Sequence, residues 1–281
     1  MRKEKKIREH KFLNKHTIAG VLLLMFGNFI VFNILAAVIG SMLLGRENGA
    51  GAGGVIGSVI ALILWCRYFQ PEYKWKPEPG DWGKSLKLLL PVIVYWILMF
   101  GMFGIIAGGV PFGALPLSSI LMAIMAGASE EVCFREIGIS YLARQWRDEN
   151  KIISIALISS VAFSLTHLTN VGTMDDVGAL LTQVLLAVLF GIFFSAVYLR
   201  TGNIWPLIIV HSLHDLLAFS ASAGITAMGV GEFPDWTTGY LILIEAAMAV
   251  CGLYMLRKSK RAEIIELWDR KWSRSSNSRM I

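Results

Sequence analysis

Charge is scarce in this sequence. Only 16% of its 281 residues are Asp, Glu, Lys or Arg, against about 25% in an ordinary soluble domain. With 55% hydrophobic residues and a mean hydropathy of +0.60, too little polar surface remains to cover a water-exposed globule. Cysteine is scarce too: Cys66, Cys133 and Cys251 are the whole complement. None belongs to a CxxC pair, which argues against a disulfide framework, and burial as small apolar residues is expected of all three. Several catalytic signatures are missing: GxSxG, the GxxxxGK[ST] phosphate loop and HExxH. A net charge of +6 invites a nucleic-acid reading, but the basic residues lie in loops and tails rather than along one stripe, so no nucleic-acid partner is expected.

What is present is a series of long apolar runs. Eight segments approach the roughly 20 residues that a bilayer requires: 17–44, 52–69, 88–110, 115–142, 151–169, 177–199, 203–221 and 239–256. The first is too long for the apolar core of a cleavable signal peptide, which runs about 7–15 residues. Of the 26 Lys and Arg, 24 fall in the two tails or in the loops after the second, fourth and sixth segments, counting Arg67 and Lys151 at segment edges. Only Arg46 lies on the other side, and Arg135 lies within a segment. Such asymmetry predicts eight crossings with both ends cytoplasmic. The expected fold is therefore all-α, a polytopic membrane helix bundle in the plasma membrane. Its parts are a basic tail (1–16), N-terminal spans (17–110), a core (115–221), a last span (239–256) and a basic tail (257–281). The last tail, with Trp268 and Trp272 among charges, reads as an interfacial helix. No internal repeat is visible.

Three of these segments carry ionisable groups where each costs roughly 2.5–3.5 kcal/mol to insert. Glu130, Glu131 and Arg135 are in the fourth, His167 in the fifth, and His211, His214 and Asp215 in the seventh. Counted from the basic anchors at 1.5 Å per residue, Glu130, His167, His211 and Asp215 lie about 17–24 Å deep, near one level. Adjacent Glu130 and Glu131 diverge by about 100° on a helix and cannot serve one point equally. Glu131 precedes Arg135 by four residues, the favoured orientation for an ion pair, which leaves Glu130 without a local counter-charge. Glu136, nearer the basic end, reads as a wet residue. His211 and Asp215 share a face, while His214 reads as supporting or structural. A carboxylate with two histidines suits water activation, either directly or through a divalent ion such as zinc on Glu130, His167 and His211. The same groups would also suit a proton- or ion-coupled transporter, and a catalytically idle membrane scaffold remains a third reading.

In order, EEVCFR (130–135), FSLTH (163–167) and HSLHD (211–215) resemble the EExxxR, FxxxH and HxxxN/D motifs of the CAAX protease and bacteriocin-processing family, also called the Abi family. The resemblance covers about 115–220. It implies an intramembrane endopeptidase, in a family traditionally called metalloproteases. Its substrate would be a peptide or a membrane-anchored, prenylated protein, and bacteriocin immunity is one cellular role in its range. On that resemblance Glu130 would activate water with His167, and Glu131 and Arg135 would hold the geometry. His211 and Asp215 would face the scissile carbonyl. The chain departs from the pattern twice. Glu136 stands where many bacterial members have glycine. Asp215 stands where prenyl-protein processing members have asparagine, and an aspartate is the poorer oxyanion donor.

Overall fold

The structure, a computed structural model, describes residues 15–172, 176–229 and 233–272. Among the described residues there are eight helices long and apolar enough to cross a membrane: α1 (Thr17–Leu44), α2 (Arg46–Phe69), α3 (Asp81–Ala107), α4 (Leu117–Gln145), α5 (Glu149–Gly172), α6 (Val177–Thr201), α7 (Trp205–Ala227) and α8 (Trp236–Met255). A ninth, α9 (Lys258–Lys271), is short and amphipathic. The protein is a multi-pass helical membrane protein, and the number of spans matches the hydropathy reading. The starts differ. α2 begins at Arg46 and α3 at Asp81, because a polar first turn continues a helix beyond the apolar stretch that hydropathy detects.

Local sequence sets the ends. The left-handed Gly108 (φ 69°) closes α3, and left-handed Gly202 (φ 59°) closes α6, conformations that glycine adopts at little cost. Asp176 caps α6 by accepting from the Gly178 and Ala179 amides, and Pro206 fills the first turn of α7. Packing between spans depends on small residues, since lipid offers no hydrophobic drive for one helix to seek another. Gly40, Gly49, Gly53 and Gly57 let α1 and α2 approach until a Cβ on Gly57 would overlap the Phe32 carbonyl. α4 lies between α2 and α7, α6 lies between α5 and α8, and α3 packs against α6, α7 and α8.

The tail helix α9 docks on the bundle. Ile264, Ile265, Leu267 and Trp268 are buried against the bundle. The Trp268 indole donates to the Leu199 carbonyl at 3.1 Å and the Trp272 indole to the Ser140 carbonyl at 3.1 Å. Arg147 grips Asp269 with two hydrogen bonds, at 2.7 and 2.6 Å. The Lys74 amide donates to the Lys271 carbonyl at 2.8 Å. Hence α9 and the turns after α2, α4 and α6 gather at one end, the basic end that charge asymmetry marks. There the Lys84 ammonium donates to Glu263 at 2.9 Å, which with the nearby Arg200 and Lys260 holds that carboxyl below its ordinary pKa despite some burial. Burial lowers the Lys271 amine, and Glu136 opposes that shift.

Cys66 and Cys133 are buried as expected, whereas Cys251 faces outward from α8. Glu136 is not wet. It is 1% exposed, it accepts from the Tyr198 hydroxyl, and Tyr198 is 3.0 Å from the Tyr73 hydroxyl. This chain ties α4 to the turn after α2, so the residue that departs from the family's glycine is a structural anchor.

Candidate active site

The fourth span changes its winding where its chemistry lies. It is α-helical from Leu117 to Glu130 and a π-helix from Glu131 to Ile139, and all nine π-helical residues are buried. Such stretches are rare and concentrate at functional sites. The wider turn still stacks Glu131 over Arg135: their Oε1 and Nη1 atoms are 3.1 Å apart, and both side chains are 0% exposed. Arg135 also lies 4.4 Å over the Phe163 ring, which gives the Phe of FSLTH a role as a cation–π platform.

α7 meets this stretch through a close crossing. A Cβ on Gly127 would lie 2.6 Å from the Ser212 nitrogen and 3.0 Å from the Ile208 carbonyl oxygen, so glycine sets how near α4 and α7 can come. Gly127 is one turn before the two glutamates, and Ser212 is next to His211. The result is a bridge. His211 Nδ1 is 2.8 Å from Glu131 Oε1. On the other side of the ring, Nε2 is 3.5 Å from Glu130 Oε2 and 3.9 Å from Asp215 Oδ2. The ring N–H on Nδ1 donates to Glu131, which leaves Nε2 facing the other two carboxylates. The 100° between adjacent glutamates is thus an advantage, since each serves one edge of a single imidazole. Glu131 is engaged twice through its Oε1, by Arg135 and by His211. The Glu130 and Asp215 side chains keep 12% and 21% exposure.

His167 comes from α5, where the α-helix ends at Leu165 and a tighter 3₁₀ stretch runs from Thr166 to Gly172. Phe163 meets the rings of His167 and His211 edge-on, with centroids 5.3 and 5.9 Å away. Glu130, His167, His211 and Asp215 all line one cavity of about 950 Å³ between the helices, at the upper end of ordinary ligand-site volumes. His214 lines it as well, and its Nδ1 accepts from the Trp96 indole at 3.1 Å. That contact fixes the proton of the neutral ring on Nε2.

No group of three or more His, Cys, Asp or Glu side chains among the described residues is arranged to hold a metal ion. Of the expected set, Glu130 and His211 lie 3.5 Å apart and His167 lines the same cavity. Both nitrogens of His211 already face carboxylates.

Sequence reasoning passed over several cavity residues. Glu245 on α8 lines the cavity, and the Tyr95 hydroxyl of α3 donates to it at 2.5 Å. Asn170 Nδ2 donates to Gln183 Oε1 at 2.9 Å in the same wall. The signal for Glu245 was available: a lone carboxylate in the middle of an apolar run, four residues after Leu241. Ser129, beside the glutamates, bonds only weakly to the Ala126 carbonyl at 3.4 Å and is not positioned by a base.

Comparison with known proteins agrees with the geometry. No curated protein and no solved structure matches this chain. One family model does, and its matched segment contains EEVCFR, FSLTH and HSLHD together with every residue of the His211 bridge. Over residues 111–217 this chain matches the family of Rce1-like type II CAAX prenyl endopeptidases.

Proposed function

We propose that this protein is an intramembrane endopeptidase that hydrolyses a peptide bond of a membrane-associated or prenylated substrate with a water activated by Glu130. The observation that carries the reading is the meeting of Glu130, His167, His211 and Asp215, from three helices, on one cavity, with His211 held between the two glutamates. Glu130 takes a proton from water as the oxygen bonds to the scissile carbonyl carbon. The C–N bond then breaks, and the same proton passes from Glu130 to the leaving amine. His167 shares the cavity and orients the water or the carbonyl. Glu131 and Arg135 do no bond chemistry: they fix the His211 ring, whose Nε2 faces Glu130 and keeps it aimed. Asp215 is an acceptor beside that nitrogen, and the oxyanion is left to N–H donors such as His167 and His214. Every step is assigned to side chains of this protein.

The basic end would face the cytoplasm of a plasma membrane, in keeping with the charge asymmetry. A role in bacteriocin processing or immunity falls within the range of the family resemblance, and the substrate decides it. The test uses the purified chain in liposomes with a membrane-partitioning peptide library read by mass spectrometry. Glu130→Gln and His167→Gln are expected to abolish the cleavages that the wild type makes. Undiminished cleavage by both variants refutes the reading, and ion flux without cleavage is the result expected of a transporter instead.

A further inference from the structure

The cavity extends beyond the motif helices to α8, outside the segment that the family model matches. There Glu245 is 4% exposed. One carboxylate oxygen accepts from Tyr95 at 2.5 Å, and Tyr95 also reaches Met99 Sδ at 3.1 Å. The other oxygen, Oε2, is buried and has no hydrogen-bond partner among the described residues, an expensive state for a polar atom. Glu130, Asp215 and Glu245 all line this cavity, and among the described residues no Lys or Arg does. With three carboxylates, and with His211 already held between glutamates, a site between low-dielectric walls attracts a cation.

We propose that Glu245, fixed by Tyr95, is a specificity subsite that receives a cationic side chain, Arg or Lys, of the substrate. Its use in cleavage rests on the endopeptidase reading above. The Tyr95 hydrogen bond holds one oxygen in place, and the free Oε2 then accepts an N–H of the guanidinium or ammonium. Glu245→Gln keeps the acceptor for Tyr95 and the side-chain volume, but replaces the charged oxygen with a donor. Tyr95→Phe keeps the charge and loosens its position.

The test measures equilibrium binding to the full chain in nanodiscs, with N-acetyl-Leu-Arg-Leu-amide and its neutral citrulline analogue as probes. The wild type is expected to bind the arginine peptide about tenfold or more tightly than the citrulline one. Glu245→Gln should erase that ratio and Tyr95→Phe should reduce it, with thermal unfolding confirming that both variants are folded. The proposal is overturned if the wild type binds the two probes equally or binds neither. It is also overturned if Glu245→Gln keeps the preference, since Glu130 or Asp215 would then supply the attraction. Cleavage is scored separately on the same probes and on the peptide library. A charge preference in binding with no cleavage of either would remove the endopeptidase reading and leave the cation subsite standing.

Discussion

Replacing Arg135 with Met leaves Glu131 buried at 0% exposure with its arginine partner gone. At a separation of 3.1 Å, the attraction lost is on the order of 5 kcal/mol at an effective dielectric of about 20. That agrees with the roughly 3–5 kcal/mol seen when one member of a buried pair is removed. The cation–π contact with Phe163 adds to the loss. Against a total stability of about 5–15 kcal/mol, such a change is severe. Thermal unfolding in detergent should therefore shift downward by many degrees. Glu131→Gln with Arg135→Met removes both charges, and most of the stability should return. Activity should not return, because the Nδ1 hydrogen bond that orients His211 then ends on a neutral amide. A single Arg135→Met variant as stable as wild type to within about 1 kcal/mol would refute the idea that this pair neutralises a buried charge.

Four further outcomes are expected. Glu130→Gln should lower kcat by about 10²–10⁴-fold, the range of general acid–base catalysis, with the unfolding temperature unchanged; a variant that instead unfolds early would make Glu130 structural. Gly127→Ala should cost about 1–3 kcal/mol, as overpacking does, and should reduce activity, because the added methyl group meets the Ser212 backbone and moves α7 away from the glutamates; wild-type activity in this variant would contradict the close crossing. Glu263 has a lowered pKa because Lys84 bonds it, so the docking of α9 should be intact above the usual glutamate value of 4.5 and weaken as pH falls below it. Protease nicking of α9 in acid should follow that profile in the wild type and lose it in Glu263→Gln. Finally, because the proposed mechanism has Glu130 activate the water directly, chelator treatment should leave peptide cleavage intact; a loss restored by zinc alone would overturn that.

The number of spans and the charge asymmetry could be read from sequence because the bilayer imposes a length and a sign on every segment. The three motifs could be read because ionisable residues are rare in apolar text, and their matched depth correctly grouped Glu130, His167, His211 and Asp215. Other features depend on three-dimensional contacts. Nothing in EEVCFREIGI announces a π-helix, and nothing in HSLHD says that the two nitrogens of His211 will each meet a different glutamate. Glu136 was misread because distance from the bundle centre was taken as distance from water, when α9 and the turn after α2 cover it. Gly127 looks like any small residue until a neighbouring backbone lies against it. Glu245 is legible as a lone carboxylate in an apolar run, but it lies outside the three motif helices.

The most direct test of the central claim is cleavage by the full chain reconstituted with a membrane-partitioning peptide library in H₂¹⁸O. The account predicts fragments whose new carboxyl group carries ¹⁸O from the wild type, and none from Glu130→Gln when it is equally folded. The same fragments at the same rate from Glu130→Gln would contradict it.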